Sequence, residues 1–296
     1  MRPVDGDIDR RLVILLDYLL PRGIIVISAN YRLLIPPSGH DMIEDIHTLF
    51  AYLGSPSSEL NIVLSEHKLS LDLDRIATFG ISSGAYLARI AGVCNTVLPR
   101  PRAMLVVSGM GGDLLLDHWI SRKEGKGRRP VSEETAQLVE RMLSGEEARV
   151  WSDLSLFQGE RSEETKARQG LFITLYNDGE ILDHILSLPG ISARLRALPH
   201  TSRLSAIPES KRHFLLPITP STCPTMVVHG KTDTSVPFTE GQATYDDLGK
   251  MGVERELVAF EGRGHEISDP VRMGWGEGWE EEFEKVLMWL EGMLRG

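Results

Sequence analysis

The sequence has its most informative turn at Phe79-Gly80-Ile81-Ser82-Ser83-Gly84-Ala85. A short apolar run at residues 75–79 leads into it and is typical of a buried strand, whereas residues 86–93 have the pattern of a helix. A Gly-x-Ser-x-Gly turn between a strand and a helix is the setting of a nucleophile elbow. We expect the two glycines to relieve crowding around a strained Ser82. The backbone N–H of Ser83, at the start of the helix, would then point at an oxyanion.

Composition and charge narrow the class of protein. The chain has 296 residues, 42% of them hydrophobic and 25% charged, as in ordinary globular domains. The net charge of −10 argues against nucleic acid or an anionic membrane as the main partner. No apolar run approaches the length of a membrane span, and the acidic start does not resemble a signal peptide, so we expect a cytoplasmic protein. Cys94 and Cys223 lack the spacing of metal ligands and are expected to be small buried core residues.

Strand and helix patterns alternate through most of the chain. The pattern predicts strands at residues 24–29, 75–79, 102–109, 224–230 and 255–260, and helices at residues 8–20, 41–53, 86–93, 238–251 and 279–294. This alternation is the signature of an α/β fold with a mostly parallel sheet flanked by helices.

The alternation stops between residues 113 and 217, where helical patterns occur without a convincing strand. We interpret this segment as a helical cap inserted into a core made of residues 1–112 and 218–296. Its apolar side chains, among them Phe172, Leu175 and Tyr176, are expected to shape a pocket over Ser82, although an insertion that only packs on the core is the alternative.

Two further polar residues follow predicted strands directly. Asp233 comes just after the strand at residues 224–230, and His265 lies in a glycine-flanked loop after the last strand. A serine hydroxyl needs a base within hydrogen-bond reach, and that base needs an orienting acid. Because loops at the carboxyl ends of parallel strands meet at one sheet edge, Ser82, Asp233 and His265 are candidates for a triad, in the chain order Ser, Asp, His. His229, at the end of its strand, is interpreted as structural.

These landmarks resemble the α/β-hydrolase superfamily, and within it the hormone-sensitive-lipase-like branch, also called α/β-hydrolase fold-3. The resemblance rests on Asn30-Tyr31-Arg32-Leu33, Gly80-Ile81-Ser82-Ser83-Gly84, His229-Gly230-Lys231-Thr232-Asp233 and Gly264-His265, and the middle segment is similar to caps in fungal members. It implies Ser82 as nucleophile, Asp233 as acid, His265 as base, and carboxylic esters as the substrate class.

The chain departs from that branch in two places. The branch carries a His-Gly-Gly motif, whose N–H groups complete the oxyanion hole, and residues 1–30 contain no such motif. We expect the first strands of the usual sheet to be missing together with that motif. Either Met1 is an internal start of a truncated protein, or the oxyanion hole is built differently. Asn30 stands where the branch usually has aspartate, which we expect to affect loop packing only. Asp113, after the strand at residues 102–109, is a rival for the acid.

The sequence therefore predicts a serine hydrolase that cleaves a carboxylic ester of a small to medium hydrophobic substrate, with no cofactor and no metal. Amidase, peptidase or acyl-transfer activity on the same fold stays open. A catalytically impaired binding protein is the alternative from another class. The expected partner is a small-molecule ester, and self-association into a homo-oligomer is left open.

Overall fold

The structure, a computed structural model, describes residues 10–145, 163–267 and 279–296. Within these ranges the strands are β1 (Ala77–Ile81), β2 (Ala103–Val107), β3 (Thr225–Gly230) and β4 (Arg255–Phe260). The α-helices are α1 (Arg10–Leu19), α2 (Gly39–Gly54), α3 (Glu59–Glu66), α4 (Gly84–Val93), α5 (Asp117–Ile120), α6 (Glu133–Ser144), α7 (Glu163–Asp178), α8 (Ile181–Leu186), α9 (Ile191–Arg196), α10 (His200–Ala206), α11 (Phe238–Lys250) and α12 (Trp279–Arg295).

The four strands form one parallel sheet whose spatial order, β1-β2-β3-β4, equals their order in the chain. In its register Val106 lies opposite Gly80 on one side and opposite Val227 on the other. β2 and β3 are buried along their whole length, as expected for inner strands of a parallel sheet that is covered on both faces. The predicted parallel sheet is confirmed, and its carboxyl ends lie along a single edge.

Helices pack on this sheet through apolar faces. α4 packs on β1 and β2, α11 packs on β3 and β4, and α12 packs against β2. The inward side of α12 is the predicted one, formed by the buried side chains Phe283, Val286, Leu287, Leu290 and Leu294. Each such side chain contributes about 1.5–3 kcal/mol when fully buried, so α12 is a main element of the core.

A polar cluster is buried beside β2. Arg89 of α4 is 1% exposed, and its Nη1 donates to Oγ1 of Thr244 at 2.8 Å. The fully buried carboxylate of Glu240 accepts from the backbone N–H groups of Gly112 and Asp113 at 2.6 and 3.0 Å. Burial lowers the pKa of Arg89 to about 10, although the charge of Glu240 opposes that shift. The cluster fixes the loop that follows β2.

The strand predicted at residues 24–29 is wrong. These residues form no backbone ladder with any described strand, and Ile25 and Ile27 are 41% and 43% exposed. The prediction rested on a run of β-branched residues, which favours a strand only where a neighbouring strand accepts its hydrogen bonds. Among the described strands, β1 has β2 on one side and no neighbour on the other.

Internal packing divides the chain into two units. One unit contains residues 43–114 and 209–296, and thus the whole described sheet. The other contains residues 1–42 and 115–208. Its described part holds α1 and the helices α5–α10, so the insertion between β2 and β3 is helical as predicted where it is described. The cap role of this insertion stays a prediction.

The helical unit has its own interior. The side chains of Trp119, Ile120, Leu182, Leu186 and Leu195 are almost completely buried. Arg203 donates to the carbonyl oxygen of Leu115 at 2.6 Å and to Oδ1 of Asp117, which ties α10 to the start of α5.

The cysteines are both free thiols, Cys223 buried and Cys94 partly buried. Burial raises the pKa of Cys223 to about 12 and also raises the pKa of Cys94. Neither thiol is therefore activated as a nucleophile. In the part of the chain that the structure describes, no helix is both long enough and apolar enough to span a bilayer.

Candidate active site

Ser82 occupies a strained turn between β1 and α4. Its φ of 53° lies in the left-handed region, which non-glycine residues seldom adopt. Two backbone hydrogen bonds hold the turn: the Ser82 N–H donates to the carbonyl oxygen of Val107 at 3.0 Å, and the Met110 N–H donates to the carbonyl oxygen of Ser82 at 3.0 Å. The strand-to-helix elbow predicted from the sequence is therefore present, and the loop after β2 supports it.

The two glycines of the elbow differ in their surroundings. A Cβ at Gly80 would meet the backbone of Gly84 and Ala85 at 2.5–2.7 Å, a distance that side chains do not tolerate. A Cβ at Gly84 would meet nothing within 4 Å. The expectation that crowding requires both glycines is right for Gly80 and wrong for Gly84, because a Cβ at Gly84 would enter open space.

His265 lies where β4 has ended, at the start of a short 3₁₀ turn (His265–Ile267). Its Nε2 is 2.9 Å from Oγ of Ser82, and its Nδ1 is 2.8 Å from Oδ2 of Asp233. Gly230, the last residue of β3, permits this placement, since a Cβ there would collide with the carbonyl oxygens of Arg263 and Gly264. The loop that carries His265 thus packs directly on the end of β3.

Asp233 presents a fully buried carboxylate at the end of β3. Its Oδ1 accepts from the backbone N–H groups of Ser235 and Val236 at 2.8 and 3.0 Å, and its Oδ2 faces His265. Burial alone would favour the protonated carboxyl, but hydrogen bonds from His229 and His265 hold the pKa of Asp233 well below its usual range. The side chain is therefore ionised at neutral pH, and its Oδ2 lies within hydrogen-bond distance of Nδ1 of His265.

Of the two acid candidates, the structure places Asp233 against His265. Asp113 follows β2, where its backbone N–H donates to Oε2 of Glu240 at 3.0 Å. The geometry thus brings together Ser82, His265 and Asp233, the three residues selected from the sequence.

The Ser83 N–H, predicted to face an oxyanion, belongs to an exposed residue that immediately precedes α4. None of the described residues accepts a hydrogen bond from it. Its position at a helix N-terminus suits a developing negative charge. The catalytic use of this N–H stays a prediction.

His229 is the residue of this site that sequence reasoning missed. The sequence pattern favours a structural role for it, and in the structure its Nε2 lies 3.3 Å from Oδ2 of Asp233 and 2.9 Å from the carbonyl oxygen of Val236. The sequence places both residues at the border of one loop, but that proximity alone does not show that their side chains meet. The direction of a side chain at a strand end cannot be read from a continuous apolar run, which lacks the alternation that separates the two faces.

The three apolar side chains of the insertion that were expected to shape a pocket differ in their burial. Tyr176 is buried, and its ring lies 5.1 Å from that of His118 and 6.3 Å from that of Trp119. Leu175 is buried as well, whereas Phe172 is 36% exposed. Of the three, Phe172 is the one left with a large free surface.

Comparison with known families gives a partial match. The sequence model of the prolyl oligopeptidase family (Peptidase_S9) matches residues 199–295. This range contains Asp233 and His265 and excludes Ser82.

A curated relative extends the likeness along the chain. The non-reducing polyketide synthase Preu6 of Preussia isomera is 25% identical over 280 residues, which make up 92% of this chain and 12% of the synthase. The chain thus spans only a small fraction of the curated relative that it matches.

Solved structures share the fold. The carboxylesterase EstE1 from a metagenomic library has a TM-score of 0.51 at 14% identity, covering 95% of this chain and 74% of that one. Carboxyl esterase 2 of the mycorrhizal fungus Tuber melanosporum also has a TM-score of 0.51, at 12% identity, covering 97% of this chain and 72% of that one. The predicted resemblance in fold is confirmed.

Proposed function

We propose that this chain, which has the α/β-hydrolase fold, is a serine hydrolase that cleaves carboxylic esters. Ser82 is the nucleophile, His265 the general base and acid, and Asp233 the residue that orients His265. The substrate is an ester with a small to medium hydrophobic acyl or alcohol group, and no cofactor takes part.

The observation that carries the proposal is the unbroken line of hydrogen bonds through His265. Distances of 2.9 Å from Nε2 to the Ser82 hydroxyl and 2.8 Å from Nδ1 to the Asp233 carboxylate lie within the range that proton transfer requires. Since the ionised carboxylate accepts the Nδ1 proton, the other nitrogen of His265 is left as a base that faces the serine.

The reaction then follows from these positions. His265 takes the proton of Ser82 as its oxygen attacks the ester carbonyl, and Asp233 stabilises the imidazolium that forms. The imidazolium returns the proton to the leaving alcohol, and an acyl-enzyme remains on Ser82. Water attacks the acyl-enzyme by the same route, with His265 again as base, and releases the acid.

The backbone N–H of Ser83 is the proposed donor to the oxyanion of the tetrahedral intermediate. Its place beside the nucleophile, at the N-terminus of α4, supports this assignment. Loss of one such donor costs about 3 kcal/mol in the transition state. The reaction rate would therefore depend strongly on whether a second donor joins the Ser83 N–H at the oxyanion.

A fluorophosphonate probe tests the proposal without knowledge of the substrate, because it labels any activated serine. The wild-type chain should be labelled and Ser82→Ala should not. Ser83→Ala is the matched control, since it removes the neighbouring hydroxyl and keeps the backbone N–H. Hydrolysis of p-nitrophenyl acetate and butyrate should follow the labelling. An unlabelled wild-type chain would favour the non-catalytic binding protein instead.

The likeness to a polyketide synthase supports a second candidate, the hydrolysis or transfer of an acyl group held as a thioester. The same triad serves this reaction, because the acyl-enzyme on Ser82 is identical and only the leaving group changes. Side-by-side kcat/KM values for an ester, a thioester and an anilide with one acyl group separate the candidates. The ester should be preferred; preference for the thioester or the anilide would move the assignment to acyl transfer or to peptidase activity.

A further inference from the structure

We infer that His229 is a positioning residue that holds the Asp233 carboxylate in line with His265; this inference rests on the proposed hydrolase site. Two imidazoles share one carboxylate oxygen, since Oδ2 of Asp233 lies 2.8 Å from Nδ1 of His265 and 3.3 Å from Nε2 of His229. The His265 ring must exchange protons during the reaction, whereas the hydrogen-bond and ring contacts of the His229 ring among the described residues are with Asp233, Val236 and Phe238 and not with Ser82.

The hydrogen bonds of His229 define its protonation. The Val236 carbonyl oxygen, 2.9 Å from Nε2, can only accept, so Nε2 carries a proton. Nδ1 is buried and has no hydrogen-bond partner among the described residues. A proton on Nδ1 would be a buried donor without an acceptor, which is costly. His229 is therefore neutral and donates only from Nε2, which faces Val236 and Asp233.

His229 acts on the carboxylate by two routes. Directly, its Nε2–H lies near Oδ2, and this is the longer and weaker of its two contacts. Indirectly, it holds the carbonyl oxygen of Val236, and the N–H of Val236 donates to Oδ1 of Asp233 at 3.0 Å. Both oxygens of Asp233 are thus restrained by a ring that is itself outside the proton relay.

The His229 ring has no room to move. It is fully buried, its plane stands perpendicular to that of Phe238 at 5.8 Å between centroids, and a Cβ at Gly241 would lie 2.7 Å from its Nδ1. Phe238 and Gly241 of α11 are uncharged, and in the described part of the chain the Asp233 carboxylate is the charged group within 4 Å of Nε2. A rigid donor of this kind is suited to fix the direction of a carboxylate.

The test compares His229→Leu, which removes the donor, with His229→Gln, whose amide nitrogen can occupy the place of Nε2. Second-order rate constants for fluorophosphonate labelling of Ser82 are measured against pH. His229→Leu should label about ten to a hundred times more slowly, and His229→Gln should recover to within about threefold of wild type. The acid limb of the profile should move to lower pH in His229→Leu, because the His265 imidazolium loses an aligned carboxylate.

A double-mutant cycle separates this role from a merely structural one. If His229 acts through Asp233, His229→Leu should change the labelling rate little in an Asp233→Asn background. An equal slowing in both backgrounds, or an acid limb that stays in place or rises, would overturn the inference. If His229→Leu does not fold, His229→Asn replaces it, since that shorter amide cannot reach Asp233. A wild-type chain that takes up no label would refute the proposed function instead.

Discussion

A Cβ atom added to Gly80 would lie 2.5 Å from the carbonyl oxygen of Gly84. The end of β1 and the start of α4 therefore lie too close together for a side chain at position 80, and Ser82 lies between them with a φ of 53°. The crowded position of the elbow is therefore Gly80, which precedes the serine, and not Gly84, which follows it.

Gly80→Ala should destabilise the protein by about 1–3 kcal/mol, because the methyl group overlaps backbone atoms that cannot rotate away. Its fluorophosphonate labelling should fall as the elbow shifts. Gly84→Ala is the control: it meets no atom within 4 Å and replaces a glycine in α4 by a better helix former, so its melting temperature should equal or exceed that of wild type. Equal losses in both variants would contradict the asymmetry.

Asp233→Asn should lower kcat on a p-nitrophenyl ester by orders of magnitude, up to about 10⁴-fold, because an amide leaves His265 in the wrong tautomer. KM should change little. Asp113→Asn, a change of the same chemistry after the neighbouring strand, should retain most of the activity. A larger loss in Asp113→Asn than in Asp233→Asn would identify Asp113 as the acid.

The Asp233 carboxylate should also couple stability to pH. Its pKa in the folded chain lies below the usual value of about 3.9, so the folded state gains stability from it above that value and loses this gain as the pH falls further. The difference in melting temperature between wild type and Asp233→Asn should therefore be nearly constant near pH 5 and shrink on acidification to about pH 3. A difference that grows over this interval would contradict the lowered pKa.

Arg89→Leu should destabilise the sheet-containing unit by about 1–3 kcal/mol, since it removes the buried hydrogen bond to Thr244 and a cation whose charge interacts with Glu240. The double variant Arg89→Leu/Glu240→Gln should lose less than the two single variants together, because it removes both charges. Thermal unfolding measures all three. Strict additivity would show that the two side chains contribute to stability independently.

Sequence patterns predicted the strands of the sheet well, but not always their burial. The apolar runs before Ser82 and Asp233 form β1 and β3; β3 is buried along its whole length, whereas β1, expected to be buried, is mostly half-buried. The run Ile24-Ile25-Val26-Ile27 has similar composition but is exposed and unpaired. Composition alone does not reveal whether a neighbouring strand is available to pair with such a run. β1 and β3 have a neighbouring strand, whereas residues 24–27 do not pair with any described strand.

The sequence was sufficient to predict which three residues meet at the site, but not all of the contacts between their side chains and their neighbours. Three polar residues placed directly after strands indicated Ser82, Asp233 and His265, because the carboxyl ends of parallel strands meet. The contact between His229 and Asp233 was not predictable, since it depends on a ring orientation set by Phe238 and Gly241 across the sheet face.

The strand order has a consequence for chain entropy. β2 and β3 are neighbours in the sheet, yet roughly 115 residues separate them where a minimal crossover needs about a dozen. Loop-closure entropy grows only with the logarithm of length, so this tenfold longer connection costs about 2 kcal/mol more than a short one. The helical insertion thus lowers the stability of the sheet only slightly. The pairing of β2 with β3 joins the neighbouring strands that lie farthest apart in sequence, so we expect it to be the slow step of folding.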